Sequence, residues 1–256
     1  MRYCSPLVEG VLLRRRVRFF ADVRLDDGTE VTAMCANTGS LRGVIAQGQR
    51  VRLSRSPNPE RKLPFTWEHA RVGRTWVGVN TSIPNRAVEE ALRAGLVPVA
   101  AGRDAVRREV PFGRENSRVD FVLEGAGLPP LALEVKNCSM AEGERALFPD
   151  SVTDRGRKHL RELAAEVRAG REGAVLFFVH RADCSVFAPA DAVDPAYGRA
   201  LRWAARQGVK VVAHRALLDA RGVRVGPEIP VELASGLPNG ASLMPPKRLD
   251  GRRRRR

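Results

Sequence analysis

Short apolar runs broken by turn residues fill the first eighty positions. Residues 7–13 (LVEGVLL), 17–25 (VRFFADVRL), 30–36 (EVTAMCA), 44–54 (VIAQGQRVRLS) and 65–72 (FTWEHARV) carry apolar side chains at strand period or in short clusters. Asp26-Asp27-Gly28 and Asn37-Thr38-Gly39 supply turns between them. Ser56-Pro57-Asn58-Pro59 reads as a loop, because proline cannot donate to a sheet ladder. Strands this short and this closely spaced predict a small all-β unit, a barrel or a sandwich, over residues 1–80.

From residue 81 the period changes. Ile83, Ala87, Val88, Ala91 and Leu92 recur at helical spacing, with Pro84 at a helix start and Gly95 at its stop. Three strand-like segments follow, around 106–112, 118–124 and 131–137, with a turn over 125–130. The strongest helix pattern runs from 151 to 170. Leu160, Leu163, Ala164 and Val167 form its apolar stripe, Ser151 and Asp154 have capping-box spacing, and Gly170 ends it. GAVLFFVH, residues 173–180, reads as a fully buried strand. A helix near 195–207 and a strand near 209–214 complete the series. The order α-β-β-β-α-β-α-β predicts a mixed-sheet α/β domain over 81–234. Residues 235–256, rich in Pro and Gly and ending in Arg252 to Arg256, predict a disordered basic tail.

Charge changes this picture. Lysine and arginine total 44 against 29 acidic residues, a formal net charge of +15, of which 235–256 carries +6. A basic body implies polyanion partners, DNA or RNA first, with an anionic membrane surface or an acidic protein as the weaker alternative. Only five of the cations are lysine, so a coding bias towards arginine accounts for the same charge without any partner. Cys4, Cys35, Cys138 and Cys184 are scattered, with no C-x-x-C pair. That argues against a disulfide framework or structural zinc and leaves them as small core residues. No apolar run reaches membrane-spanning length, and the first one meets Arg14 to Arg16 too soon for a signal peptide. The expected location is the cytoplasm.

The candidate chemistry sits in LALEVKNCS, residues 131–139. Leu131, Leu133 and Val135 are apolar, yet Glu134 and Lys136 share one strand face, about 7 Å apart along the chain. A hairpin of 118–124 with 131–137, centred near Gly127, sets Asp120 opposite Glu134. Two neighbouring carboxylates repel, and burying them unpaired is costly. A hard divalent cation removes the conflict, which makes Asp120 and Glu134 candidate ligands for Mg2+ or Mn2+. Lys136 is then a point charge that stabilises a phosphorane or holds an attacking water. Glu109 is a candidate third carboxylate. The bland alternative is an ion pair on a solvated edge strand.

Two basic surfaces stand beside this site. Arg155, Lys158 and Glu162 fall opposite the Leu160 stripe, with His159 flanking it. Cations in the first turn of a helix oppose its dipole, and a bound phosphate offsets that cost; a solvated basic face fits the same residues. In the barrel, Arg14, Arg16 and Arg18 alternate at strand period, as do Arg50 and Arg52, near Phe65, Trp67 and Trp76. Basic faces with aromatics suit a nucleic-acid groove, although both tryptophans are expected in the core.

Several stretches in order resemble one family. They are RRVRFFADV, on Arg15, Arg18, Phe19, Ala21 and Val23; CANTGS, on Cys35, Asn37, Thr38 and Gly39; TWE at 66–68; VNTSIPNR at 79–86; SRVDF; LEVKNCS; and FPDSVTDRGRKHLREL. Together, from about residue 7 to 215, they resemble the sugar fermentation stimulation protein A family. Asp120 followed by Glu134-x-Lys136 also resembles the PD-(D/E)xK nuclease signature. The resemblance implies an N-terminal OB-like domain and a C-terminal restriction-endonuclease-like PD-(D/E)xK domain. It also implies sequence-independent DNA binding and a link to regulation of sugar (maltose) metabolism genes. It puts Asp120, Glu134 and Lys136 on the nuclease-like motif, and Glu109, Ser117, Arg118, Arg155, Lys158 and His159 on neighbouring motifs. Two functions stand: a DNA-binding regulator without catalysis, and a metal-dependent nuclease acting on DNA or RNA. No helix-turn-helix or zinc-finger pattern occurs, so neither predicts base-specific readout.

Overall fold

Buried positions that alternate with more exposed ones make the first, second and fourth strands one-sided. The computed structural model describes residues 1–113 and 117–234. It contains β1 (Val8–Arg16), β2 (Phe20–Leu25), β3 (Glu30–Met34), β4 (Arg50–Arg55), β5 (Phe65–Val72) and β6 (Thr75–Gly78). Neighbours pair in the order β3-β2-β1-β4-β5, and β3 returns to pair with β5, so five strands close a barrel; β6 extends it as a hairpin on β5. Ala21, Val23, Val51, Leu53 and Trp67 point inward and are fully buried. The Trp67 indole N–H donates to the His69 carbonyl at 2.9 Å, which lets this large ring sit in the core without an orphaned donor.

The second half is a six-stranded mixed sheet of β7 (Ala105–Phe112), β8 (Ser117–Glu124), β9 (Leu131–Cys138), β12 (Glu172–Val179), β14 (Lys210–Leu218) and β15 (Val223–Ile229), which neighbour one another in the order β15-β14-β12-β9-β8-β7. β12 runs parallel to β9 and β14, and the other pairs are antiparallel. α1 (Ile83–Arg93) covers one face over Phe121, Leu133, Leu176 and Phe178. α2 (Asp154–Arg168) and α3 (Pro195–Arg206) cover the other over Ala132, Val175 and Phe177. With both faces covered, β12 is buried along nearly its whole length, as its unbroken apolar run predicts.

Some details differ from the sequence reading. The first seven residues lie outside the barrel. The Met1 amino group donates to the Val223 carbonyl at 2.8 Å, and the Tyr3 and Leu7 amides bond to Arg221 and Ala220. β10 (Met140–Glu142), β11 (Arg145–Phe148) and β13 (Val186–Pro189) form a separate three-stranded sheet. The cap of α2 is Thr153 rather than Ser151; its hydroxyl accepts the Gly156 amide at 3.0 Å. Glu162, expected on the solvated face, is buried. Cys4 is exposed while the other three cysteines are buried. The expected basic tail, 235–256, lies outside the described residues. Among the described residues, no helix is long and apolar enough to cross a membrane.

The two halves meet along a bonded seam. The Gly78 amide donates to the His180 carbonyl at 2.7 Å, and the His180 ring packs so closely that a Cβ on Gly78 would lie 2.1 Å from it. Asp150 accepts from the Ser40 hydroxyl at 3.1 Å and the Leu41 amide at 3.2 Å. Arg15 reaches under the same loop to the carbonyls of Asn37 and Gly39. The loop from Asn37 to Leu41 and the FPDS segment are thus parts of one clasp between the halves.

Candidate metal and phosphate site

The β8–β9 ladder stops where the candidate chemistry begins. Its pairs are Leu123–Leu131, Val122–Ala132 and Phe121–Leu133, a register centred on Gly127. One step further, Asp120 stands at the register position of Glu134, and its side chain takes over from the ladder. Asp120 Oδ2 accepts from the Val135 amide at 2.7 Å, and Oδ1 accepts from Asn85 Nδ2 at 2.7 Å. Asn85 sits in the first turn of α1, so that helix holds the aspartate from the other side of the strand break.

Glu134 is 4 % exposed. One carboxylate oxygen, Oε1, accepts from Lys136 Nζ at 2.6 Å and lies 2.5 Å from His159 Nδ1. The other, Oε2, is buried without a hydrogen-bond partner. Lys136 keeps a small opening to solvent.

Burial, then the charge of Glu134, push the Asp120 carboxyl up to about 6. Burial alone would raise Glu134 too, but the hydrogen bond from His159 and the Lys136 charge outweigh it and hold that carboxyl below its ordinary value. The pair is therefore split, one carboxylate held ionised and the other pressed towards neutrality, which is common at functional sites. Beneath it, the Tyr197 hydroxyl is fully buried without a partner, and burial and Glu134 push it well above its ordinary value.

These residues fit a hard cation. Asp120 and Glu134 offer carboxylate oxygens, and the unpartnered Oε2 is the kind of buried acceptor that an ion satisfies. Among the described residues, no group of three or more His, Cys, Asp and Glu side chains is arranged to hold a metal. A cation here would rest on two carboxylates and take its remaining ligands from water or phosphate, as Mg2+ commonly does.

Other predicted residues fall elsewhere. Glu109 lies across the β7–β8 register from Asp120, but it is exposed and has a left-handed φ of 49°, which breaks the strand alternation expected to aim it at the pair. Its carbonyl accepts from Arg118 at 2.7 Å. His159, expected as a surface cation, is 3 % exposed, because α2 turns it inward beside Leu160 and Leu163. Arg155 is exposed next to it, and Lys158 is half-buried.

In the barrel, β1 ends at Arg16, and Val17 and Arg18 form a left-handed turn, so Arg18 does not continue the alternation. Arg14 and Arg16 both pair with Asp22, while Arg50 and Arg52 pair with Glu9, and Arg50 also with Asp26. Much of the expected cationic stripe is thus neutralised. Trp76 is half-buried rather than core, with the Arg52 guanidinium 4.0 Å above its ring. The sequence reading did not single out Asn85, and it missed the contact between His159 and Glu134.

A groove of about 1110 Å³ runs between β7 and α2 and is lined by Phe112, Arg161 and Arg168 among others. Its walls mix charges, with Arg107 paired to Glu124 and Arg171 to Glu166. It reaches Ala132, two residues before Glu134 on the strand, but the carboxylate pair does not line it.

Residues 82–222 match the family described as the sugar fermentation stimulation protein RE domain, and residues 13–79 match the SfsA N-terminal OB domain. A sugar fermentation stimulation protein homolog from Geobacter sulfurreducens is 50% identical over 226 residues, covering 88% of this chain and 96% of the relative. The homolog from Geobacter metallireducens is 49% identical over 91% of this chain and 100% of its own length. A solved structure of Pyrococcus furiosus SfsA in complex with Ca2+ shares 26% identity and a TM-score of 0.81, covering 91% of this chain and 99% of that one. With both domains matched in order and half the residues shared with full-length relatives, the chain belongs to the sugar fermentation stimulation protein (SfsA) family.

Proposed function

We propose that this chain binds nucleic acid without base-specific readout and hydrolyses phosphodiester bonds at Asp120, Glu134 and Lys136 with a divalent cation. The observation that carries the reading is the carboxylate pair of buried Glu134 and half-buried Asp120, with Asp120 raised, Glu134 Oε2 unpartnered and a lysine bonded to the same glutamate. A purely structural pair has little reason to keep a half-buried carboxylate beside a buried one at a break in the sheet. The solved Pyrococcus furiosus relative holds Ca2+, another oxygen-seeking hard cation, which supports the same chemistry here.

Held by Asp120 and Glu134, Mg2+ or Mn2+ would supply Lewis-acid stabilisation of charge on phosphate oxygens. The chain's own residues do the rest. Asn85 and the Val135 amide fix Asp120. Lys136, anchored on Glu134, offers donors that orient an attacking water or offset negative charge growing on the phosphate. Above about pH 6, Asp120 is ionised and able to serve as a ligand. Arg118 and Arg155 are exposed cations on the flanking elements, and they suit backbone phosphates rather than bases.

Net charge of +15 favours a second reading, nucleic-acid binding without turnover. The two separate in one assay. Labelled single- and double-stranded DNA and RNA are incubated with Mg2+, Mn2+ or EDTA, using wild type, Glu134→Gln and Lys136→Ala. The hydrolase reading expects metal-dependent cleavage that both substitutions abolish while binding persists. Tight, salt-sensitive binding with no cleavage by wild type leaves the second reading.

A further inference from the structure

His159 lies between two groups that can each take only one role. Glu134, held ionised, can only accept, so His159 Nδ1 donates across the 2.5 Å contact to Oε1. On the far side of the ring, Arg155 Nε donates to His159 Nε2 at 3.4 Å, and a guanidinium never accepts. Both contacts are met with a ring proton on Nδ1. Glu134 Oε1 therefore receives two donors from two different elements, Lys136 on its own strand and His159 on α2. Oε2 receives none, although it is equally buried.

The ring also stands on a fixed base. Thr153 caps α2, and Asp194 accepts the Thr153 amide at 2.9 Å and pairs with Arg157. The neighbouring Leu160 and Leu163 are fully buried. A carboxylate clamped through one oxygen by such groups cannot rotate to satisfy its other oxygen, so Oε2 keeps one direction.

We propose that Arg155 and His159 are positioning residues: they orient Glu134 so that Oε2 is presented to the cation, and His159 does not contact nucleic acid. This rests on the divalent-cation reading above. Outer partners of metal ligands commonly change affinity 10–100-fold when removed.

The test uses the full chain and two substitutions of similar bulk. His159→Asn carries its amide nitrogen near the place of Nδ1 and keeps the donor to Glu134. His159→Gln carries it near the place of Nε2 and loses that donor. Mn2+ binding is measured by titration calorimetry, and DNA binding in EDTA by fluorescence anisotropy over a range of salt. The proposal expects His159→Gln to weaken Mn2+ binding about 10–100-fold, and His159→Asn to restore most of it. DNA affinity in EDTA and its salt dependence stay at the wild-type level in both. Equal Mn2+ affinity in all three proteins overturns the proposal, and so does a loss of metal-free DNA affinity with Mn2+ binding unchanged. If wild type itself binds no Mn2+, the divalent-cation reading fails and takes this proposal with it.

Discussion

Unfolding wild type and Asp120→Asn side by side in EDTA, across a series of pH values, isolates the electrostatic conflict at the strand break. Burial and Glu134 lift the Asp120 carboxyl from an ordinary 3.8 to about 6. Between those values the folded protein binds more protons than the unfolded chain, so stability falls as pH rises. The contribution of this group is fully present below the lower value and is lost as pH passes through about 6. At about 1.4 kcal/mol per pH unit, the whole effect is about 3 kcal/mol. Asparagine abolishes the titration. It also turns an amide NH2 towards one of the two donors that Asp120 accepts from, Asn85 or the Val135 amide, at about 1 kcal/mol for the lost bond at any pH.

The substitution should therefore start about 1 kcal/mol less stable than wild type in acid and climb by about 3 kcal/mol relative to it on passing to neutral pH. Urea titrations followed by far-ultraviolet circular dichroism measure both curves. Mn2+ at neutral pH should invert the order, because a ligand at 100 times its Kd stabilises the protein that binds it by about 2.7 kcal/mol, and Asp120→Asn lacks a ligand oxygen. A stability difference that stays flat from acid to neutral pH refutes the coupling between Asp120 and Glu134.

Two further outcomes follow from the seam and the charge. Gly78→Ala forces a methyl group into the buried His180 ring, 2.1 Å away, and should cost about 1–3 kcal/mol as overpacking does; the double change with His180→Ala should recover part of that loss in urea titrations. Deleting residues 247–256 removes seven cations, so the slope of log affinity for DNA against log salt should become shallower while binding persists; complete loss of binding would show that the folded body is not the binding surface.

Much of the fold is readable from side-chain period. Ala21 and Val23 face inward in β2, and Val51 and Leu53 alternate with outward arginines in β4, so the barrel wall follows from spacing of two. Asp120, Glu134 and Lys136 come together because a hairpin centred on Gly127 leaves no other register. Where the reading failed, a second force overrode the pattern. His159 has the spacing of one buried helical face with Gly156, Leu160, Leu163 and Ala164, and that period rather than a basic surface places it. A left-handed turn ends β1 at Arg16, so the strand period does not reach Arg18. β10, β11 and β13 are three or four residues long, too short for a period to show, and they exist through pairing with one another. Nothing local marks Asn85; only the packing of α1 against the sheet brings it to Asp120.

The measurement closest to the central claim is anomalous diffraction from crystals of the full chain soaked in Mn2+, with Glu134→Gln crystals treated in the same way. A manganese peak is expected between the Asp120 carboxylate and Glu134 Oε2 in wild type, and its loss in the variant. Manganese bound elsewhere, or absent from wild type with both carboxylates ordered, would contradict it.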